Sequence, residues 1–60
     1  MNHEWQQPFR PMEVLIPNTN IWASVVFIRS RNTRGWEVIT MSGNTWSDLD
    51  TELRHAQADS

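Results

Sequence analysis

The sequence predicts an α+β domain in which a three-stranded antiparallel β-meander is packed by one C-terminal α-helix. Three stretches rich in β-branched and aromatic residues lie between residues 12 and 41, separated by turn-forming residues. A stretch with helical spacing follows from residue 45. An aperiodic segment with two prolines precedes the first strand. We therefore expect an irregular N-terminal arm over residues 1–11 and a single β-β-β-α domain over residues 12–58.

The three strands are predicted from residue type and from the breaks between them. The first covers residues 12–16 and is stopped by a proline. The second covers residues 21–31, which contain no glycine or proline, and the third covers residues 36–41. The short turn over residues 32–35, in which Gly35 is suited to a positive φ angle, predicts an antiparallel hairpin between the second and third strands.

The predicted helix begins near Thr45, whose side chain would cap the first turn together with Asp48. Asp50 and Arg54 are spaced for an i, i+4 ion pair. Apolar residues recur on one stripe, at Trp46, Leu49, Leu53 and Ala56. This stripe predicts that the helix covers one face of the sheet.

Both faces of the predicted sheet are apolar. Alternation places Ile21, Ala23, Val25, Phe27, Arg29 and Arg31 on one side of strand two, and Trp22, Ser24, Val26, Ile28 and Ser30 on the other. Since one helix covers one face, the second face needs a different cover. The candidates are the arm with its aromatic residues Trp5 and Phe9, a second copy of the chain, or another protein.

Composition limits the possible functions. The chain has 60 residues, no cysteine and a net charge of −2, and its two histidines, His3 and His55, lie near opposite ends. These features predict no metal site and no cofactor, and they favour a cytoplasmic protein. No secretory signal or membrane-spanning run is expected, and no nucleophile, phosphate-loop or paired-carboxylate motif occurs. We therefore expect a protein that is not an enzyme and takes no small-molecule substrate.

A group of arginines and aromatic residues forms the candidate binding site. Arg29, Arg31 and Arg34 lie at the predicted hairpin tip, with Trp36 just beyond them. Such a pattern can contact phosphates or stack on bases, although charged residues also keep an exposed turn soluble. The candidate binding residues are Arg29, Arg31, Arg34, Trp36, Trp22, Arg10 and Trp5.

Three functions follow from these features. The first is a small regulatory or inhibitory protein, of bacterial, phage or plasmid origin, that binds a larger protein through the face or edge of its sheet, or that forms a homodimer. The second is a DNA- or RNA-binding module that uses the Arg29, Arg31 and Arg34 hairpin. The third is a structural subunit of a larger assembly.

Overall fold

The computed structural model describes residues 4–31 and 34–56, which form five β-strands and no helix. The strands are β1 (Met12–Leu15), β2 (Trp22–Ser30), β3 (Trp36–Thr40), β4 (Thr45–Ser47) and β5 (Leu53–His55). Strands β1 to β3 match their predicted positions to within one residue at each end. The predicted α+β class, with its three-stranded sheet and C-terminal helix, is wrong. Residues 1–3 of the predicted arm, Asn32 and Thr33 of the predicted turn, and residues 57 and 58 of the predicted domain lie outside the described residues.

All five strands form one antiparallel sheet in the order β4-β3-β2-β1-β5. The predicted β2–β3 hairpin is confirmed, with Ile28 opposite Val38. Strand β1 lies inside the sheet, where Glu13 faces Ser24 of β2 on one side and Arg54 of β5 on the other. The edges are β4 and β5, of three residues each, and such short edges offer another chain little backbone to pair with.

The sheet is curled, because the connection between its two edge strands is too short for a flat sheet. Four strand spacings of about 4.8 Å would separate β4 from β5 by about 19 Å. Residues 48–52 join them, and the Asp50 and Thr51 amides both donate hydrogen bonds back to the Ser47 carbonyl. After this turn only two steps of about 3.5 Å remain before Leu53. The sheet must therefore bend so that its edges approach each other.

The concave inner face of the sheet holds the hydrophobic core. Val14 and Val38 are fully buried and Val25 nearly so. Partly buried residues pack around them, namely Met12, Ala23, Ile28, Trp36, Trp46 and Leu53. The core thus draws on all five strands, and curling of the sheet supplies the cover that the helix was predicted to provide.

A β-bulge in β2 changes which residues share a face. Val25 pairs with Thr40 and Phe27 pairs with Ile39, so β2 has one extra residue at this point. Beyond the bulge, Ile28 joins the inner face opposite the buried Val38, while Phe27 and Arg29 move to the convex outer face. Strict alternation predicted that Val25 and Phe27 share a side, and that prediction is wrong.

The predicted helix is replaced by β4, a turn and β5 because local polar side chains compete for the backbone. The Asp50 carboxylate accepts hydrogen bonds from the Ser47 amide at 3.0 Å and from its hydroxyl at 3.2 Å, and the Ser47 hydroxyl accepts one from the Leu49 amide at 3.2 Å. Such local bonds favour a turn over a helix. Trp46 and Leu53 still pack against the core, but Leu49 is 77% exposed. The expected Asp50–Arg54 ion pair does not form in the described part of the chain, where the Arg54 guanidinium binds Glu13 instead.

Two turns depend on left-handed backbone conformations. Asn18, between β1 and β2, has φ 67°, and Gly43, between β3 and β4, has φ 91°. Asparagine and glycine are the residue types that best tolerate this region. Gly35 does not have a positive φ angle, so the prediction that the turn uses Gly35 for this purpose is wrong. Within the described chain, no helix is long and apolar enough to cross a membrane.

Candidate protein-binding surface

The arm bends at Phe9 and Arg10, between two prolines, and we call residues 8–11 the Pro8–Pro11 loop. Before the loop, Gln6 and Ile28 of β2 exchange two backbone hydrogen bonds of 2.8 Å. After the loop, the Ala56 amide donates to the Pro11 carbonyl at 3.0 Å, next to the start of β1. The loop is therefore fixed to the sheet on both sides.

The Pro8–Pro11 loop does not pair with β2 because the segment from Gln6 to Glu13 has more residues than the part of β2 opposite it. Seven steps of chain, from Gln6 to Glu13, run alongside four steps of β2, from Ser24 to Ile28. Proline has no amide hydrogen to donate, so a segment bounded by Pro8 and Pro11 is poorly suited to continue a strand. The surplus residues consequently form the bend.

Phe9 is 100% exposed, which makes it the most exposed of the large hydrophobic residues in the described chain. Leu49, Met41, Ile21 and Phe27 follow it in decreasing order of exposure. Single exposed apolar residues are common on protein surfaces. Phe9 differs because an entire aromatic ring is in water on a loop whose ends are both hydrogen-bonded to the sheet.

Two of the three arginines predicted at the hairpin are neutralised by the chain's own carboxylates. Arg29 forms a 2.8 Å ion pair with Glu37, and Arg31 forms a 2.9 Å ion pair with Asp48. Arg29 and Arg31 also line a shallow cavity of about 200 Å³ together with Ser30 and Glu37. Arg34 is exposed near the hairpin tip. The structure thus brings two of the three predicted arginines together, each with an acidic partner.

Trp5 and Trp22 lie on the outer face of the sheet, each covered by an arginine. The Arg29 guanidinium lies 4.4 Å from the centroid of the Trp5 ring, and the Arg54 guanidinium lies 3.9 Å from that of Trp22. Arg29 also binds Glu37, and Arg54 also binds Glu13. We call the two sets of tryptophan, arginine and glutamate the outer-face stacks. They cover part of the second face that the sequence left unexplained, on which Phe27 is still 39% exposed.

The remaining two predicted site residues, Trp36 and Arg10, lie in different environments. Trp36 begins β3 and packs against the inner-face core, whereas Arg29 lies on the outer face. Arg10 is exposed in the Pro8–Pro11 loop, and no hydrogen bond, ion pair or ring contact joins it to the described residues. Sequence reasoning omitted Phe9 from the candidate site, although its position between two prolines is a usable signal.

Asp48 is held in its charged form by the residues around it. Arg31 Nη2 donates to both carboxylate oxygens, at 2.9 and 3.1 Å, and the Trp36 amide donates to Oδ1 at 3.2 Å. The hydrogen bonds from Arg31 lower the pKa of Asp48, partial burial opposes them, and the Trp36 amide lowers the pKa further. This carboxylate ties the hairpin tip to the turn after β4.

The lowered pKa of Asp48 predicts that acid weakens the fold. The pKa of Asp48 is lower in the folded chain than in the unfolded chain. Its interaction with Arg31 therefore stabilises the fold above the ordinary carboxyl pKa of about 3.9, and this stabilisation is lost as the pH falls through the pKa of Asp48 in the folded chain. Between about pH 5 and about pH 2.5, the Tm measured by circular dichroism should fall more steeply in the natural chain than in Asp48→Asn.

Glu52→Gln is the control, since Glu52 is exposed and its side chain makes no contact with the described residues. This variant should keep the slope of the natural chain. Equal slopes for Asp48→Asn and the natural chain would contradict the role given to Asp48.

Comparisons with known proteins give no relative from which a function could be transferred. No protein family matches the chain, and neither a curated protein nor a solved structure does. Among residues 4–31 and 34–56, no group of three or more His, Cys, Asp or Glu side chains is placed to hold a metal ion. The geometry of the Pro8–Pro11 loop is therefore the main guide to function.

Proposed function

We propose that this chain is a small, non-enzymatic regulatory or inhibitory protein that acts in the cytoplasm by binding a larger protein. The observation that carries the proposal is the fully exposed ring of Phe9 on the Pro8–Pro11 loop. In the bound state, this ring would be buried in an apolar pocket of the partner. The sequence predicted binding through a face or an edge of the sheet, whereas the proposal assigns binding to the Pro8–Pro11 loop.

The Pro8–Pro11 loop is suited to binding because its backbone is already restricted before a partner binds. Hydrogen bonds at Gln6 and Pro11 fix its ends, and Pro8 and Pro11 each have a restricted φ angle. A segment that is already ordered loses less conformational entropy when it binds. Burying a phenylalanine side chain is worth about 1.5–3 kcal/mol, so most of that gain would appear as affinity.

Other readings of the molecule have less support. Nucleic-acid binding was inferred from Arg29, Arg31 and Arg34, but Glu37 and Asp48 already neutralise the first two. The net charge of −2 also opposes association with a polyanion. The cavity of about 200 Å³ near Arg29 is smaller than the roughly 300 Å³ at which ligand pockets begin.

A capture experiment tests the proposal. The natural chain, Phe9→Ala and Leu49→Ala are immobilised in equal amounts and exposed to extract of the source cell, and bound proteins are quantified by mass spectrometry. We expect one protein in near-stoichiometric amount on the natural chain and on Leu49→Ala. On Phe9→Ala the affinity should drop about 30-fold, which corresponds to the about 2 kcal/mol typical of a buried aromatic anchor.

Leu49→Ala is a matched control because Leu49 is 77% exposed and lies in a different loop. Both variants should keep the Tm of the natural chain, since neither side chain is buried. The proposal fails if Phe9→Ala retains every protein that the natural chain retains. Loss of the partner with Leu49→Ala but not with Phe9→Ala would place the contact elsewhere.

A further inference from the structure

We propose that the partner's pocket for Phe9 has a carboxylate at its rim, and that Arg10 recognises it. This inference rests on the proposed function, because it names the chemistry of the partner that receives the Pro8–Pro11 loop. The observation behind it is that Arg10, which has no hydrogen bond, ion pair or ring contact within the described residues, directly follows the fully exposed Phe9 in the chain.

The pairing of the other arginines makes Arg10 exceptional. Carboxylates lie 2.8 to 2.9 Å from Arg29, Arg31 and Arg54. Arg34 also has an interaction. Arg10 is the one arginine for which the described residues provide no contact. Arg10 also directly follows Phe9, the most exposed of the large hydrophobic residues in the described chain.

The backbone restricts where Arg10 can direct its side chain. Pro11 follows it, and steric clash with the proline ring disfavours the helical region for the preceding residue. The Pro11 carbonyl is in turn fixed by the Ala56 amide at 3.0 Å. The backbone that carries Phe9 and Arg10 is therefore restricted.

A single carboxylate fits these features better than a phosphate-rich surface. Binding to nucleic acid or an anionic membrane draws on several cations acting together, whereas Arg10 acts without a second free arginine in the described residues. The net charge of −2 would repel a surface dense in negative charge. The planar guanidinium can bind one carboxylate through two hydrogen bonds, which adds specificity at the rim of an apolar pocket.

Photo-crosslinking from the ring position tests the inference. Phe9 is replaced by p-benzoylphenylalanine in the full chain, the protein is irradiated in extract of the source cell, and the crosslinked residues are identified by mass spectrometry. We expect crosslinks to one protein, at apolar residues that adjoin an Asp or Glu on its surface. The same group at position 49 should give no such crosslink.

The charge of Arg10 is then varied in the crosslinking chain. Arg10→Glu should lower the yield about tenfold at low salt, Arg10→Gln should lower it less, and Arg10→Lys should restore part of it. About 0.5 M NaCl should bring the natural Arg10 close to the Arg10→Gln yield, because salt screens an exposed pair. Since Arg10 is exposed and has no hydrogen bond, ion pair or ring contact within residues 4–31 and 34–56, all three variants should keep the natural Tm.

The outcomes separate this inference from the proposed function. If one protein is crosslinked with the same yield in Arg10→Glu, the rim carboxylate is wrong and the protein-binding function stands. If position 9 gives no protein crosslink above that of position 49, both fail. Crosslinks to nucleic acid, to lipid or to a second copy of this chain would overturn the inference.

Discussion

Val38→Asp is expected to abolish folding at 25 °C. Val38 is 0% exposed at the centre of β3, opposite Ile28 on one side and Trp46 on the other. An aspartate there would bury a carboxylate among apolar side chains, which costs several kcal/mol when no partner is available. A core in a chain of this length supplies roughly 3–5 kcal/mol, so the cost meets or exceeds the total stability.

Loss of amide dispersion in the NMR spectrum and of cooperative thermal unfolding would reveal this effect. Ile21→Asp is the matched control, because it makes a similar change from a β-branched apolar residue at a position that is 59% exposed. It should remain folded. A cooperative unfolding transition in Val38→Asp would show that the core differs from the one described.

Gly35→Ala is expected to destabilise the fold by opening the contact between Arg31 and Asp48. A Cβ atom at residue 35 would lie 2.8 Å from Arg31 Nη2, closer than real Cβ atoms approach, and 3.0 Å from Asp48 Oδ1, which is a tight contact. The guanidinium would have to move off the carboxylate, although it is held there by hydrogen bonds to both oxygens. The atom that must move is the end of a flexible, partly exposed side chain, so the expected cost is that of weakening the ion pair, about 1 kcal/mol or less.

A double-mutant cycle distinguishes this clash from a general preference for glycine. Chemical denaturation of Gly35→Ala, Arg31→Ala and the double variant gives their free energies of unfolding. Because Arg31→Ala removes the guanidinium that would clash, the double variant should be no less stable than Arg31→Ala alone. If the losses in free energy of unfolding from the two substitutions add, the clash with the Arg31 guanidinium does not explain why alanine is unfavourable at position 35.

The sequence predicted β1, β2 and β3 because β-branched and aromatic runs bounded by turn formers are strong local signals. Residues 45–56 misled the prediction because Trp46 and Leu53 face the core in either conformation. The deciding interactions were the Ser47–Asp50 hydrogen bonds and the pairing of β5 with β1. The first offered a local alternative to a helix, and the second depends on residues distant in sequence.

The candidate site was only partly predictable for a related reason. Arg54 meets Glu13 from 41 residues away, and spacing along the chain gives no sign of such a partner. The bulge in β2 likewise moved Phe27 and Arg29 to the face opposite that of Val25. Phe9 lies in a segment without periodicity; its two neighbouring prolines indicate a loop, but they do not indicate whether its ring is buried or exposed.

The pairing of β5 with β1 also defines the smallest unit in which this fold is complete. Ending the chain before Leu53 would leave the outer backbone of β1 bare and would remove Arg54 from Trp22 and Glu13. At the other end, Trp5 and Gln6 already contact Arg29 and Ile28. An affinity tag or fusion partner should therefore be joined before Trp5 or beyond Ala56, with the stretch between them left intact.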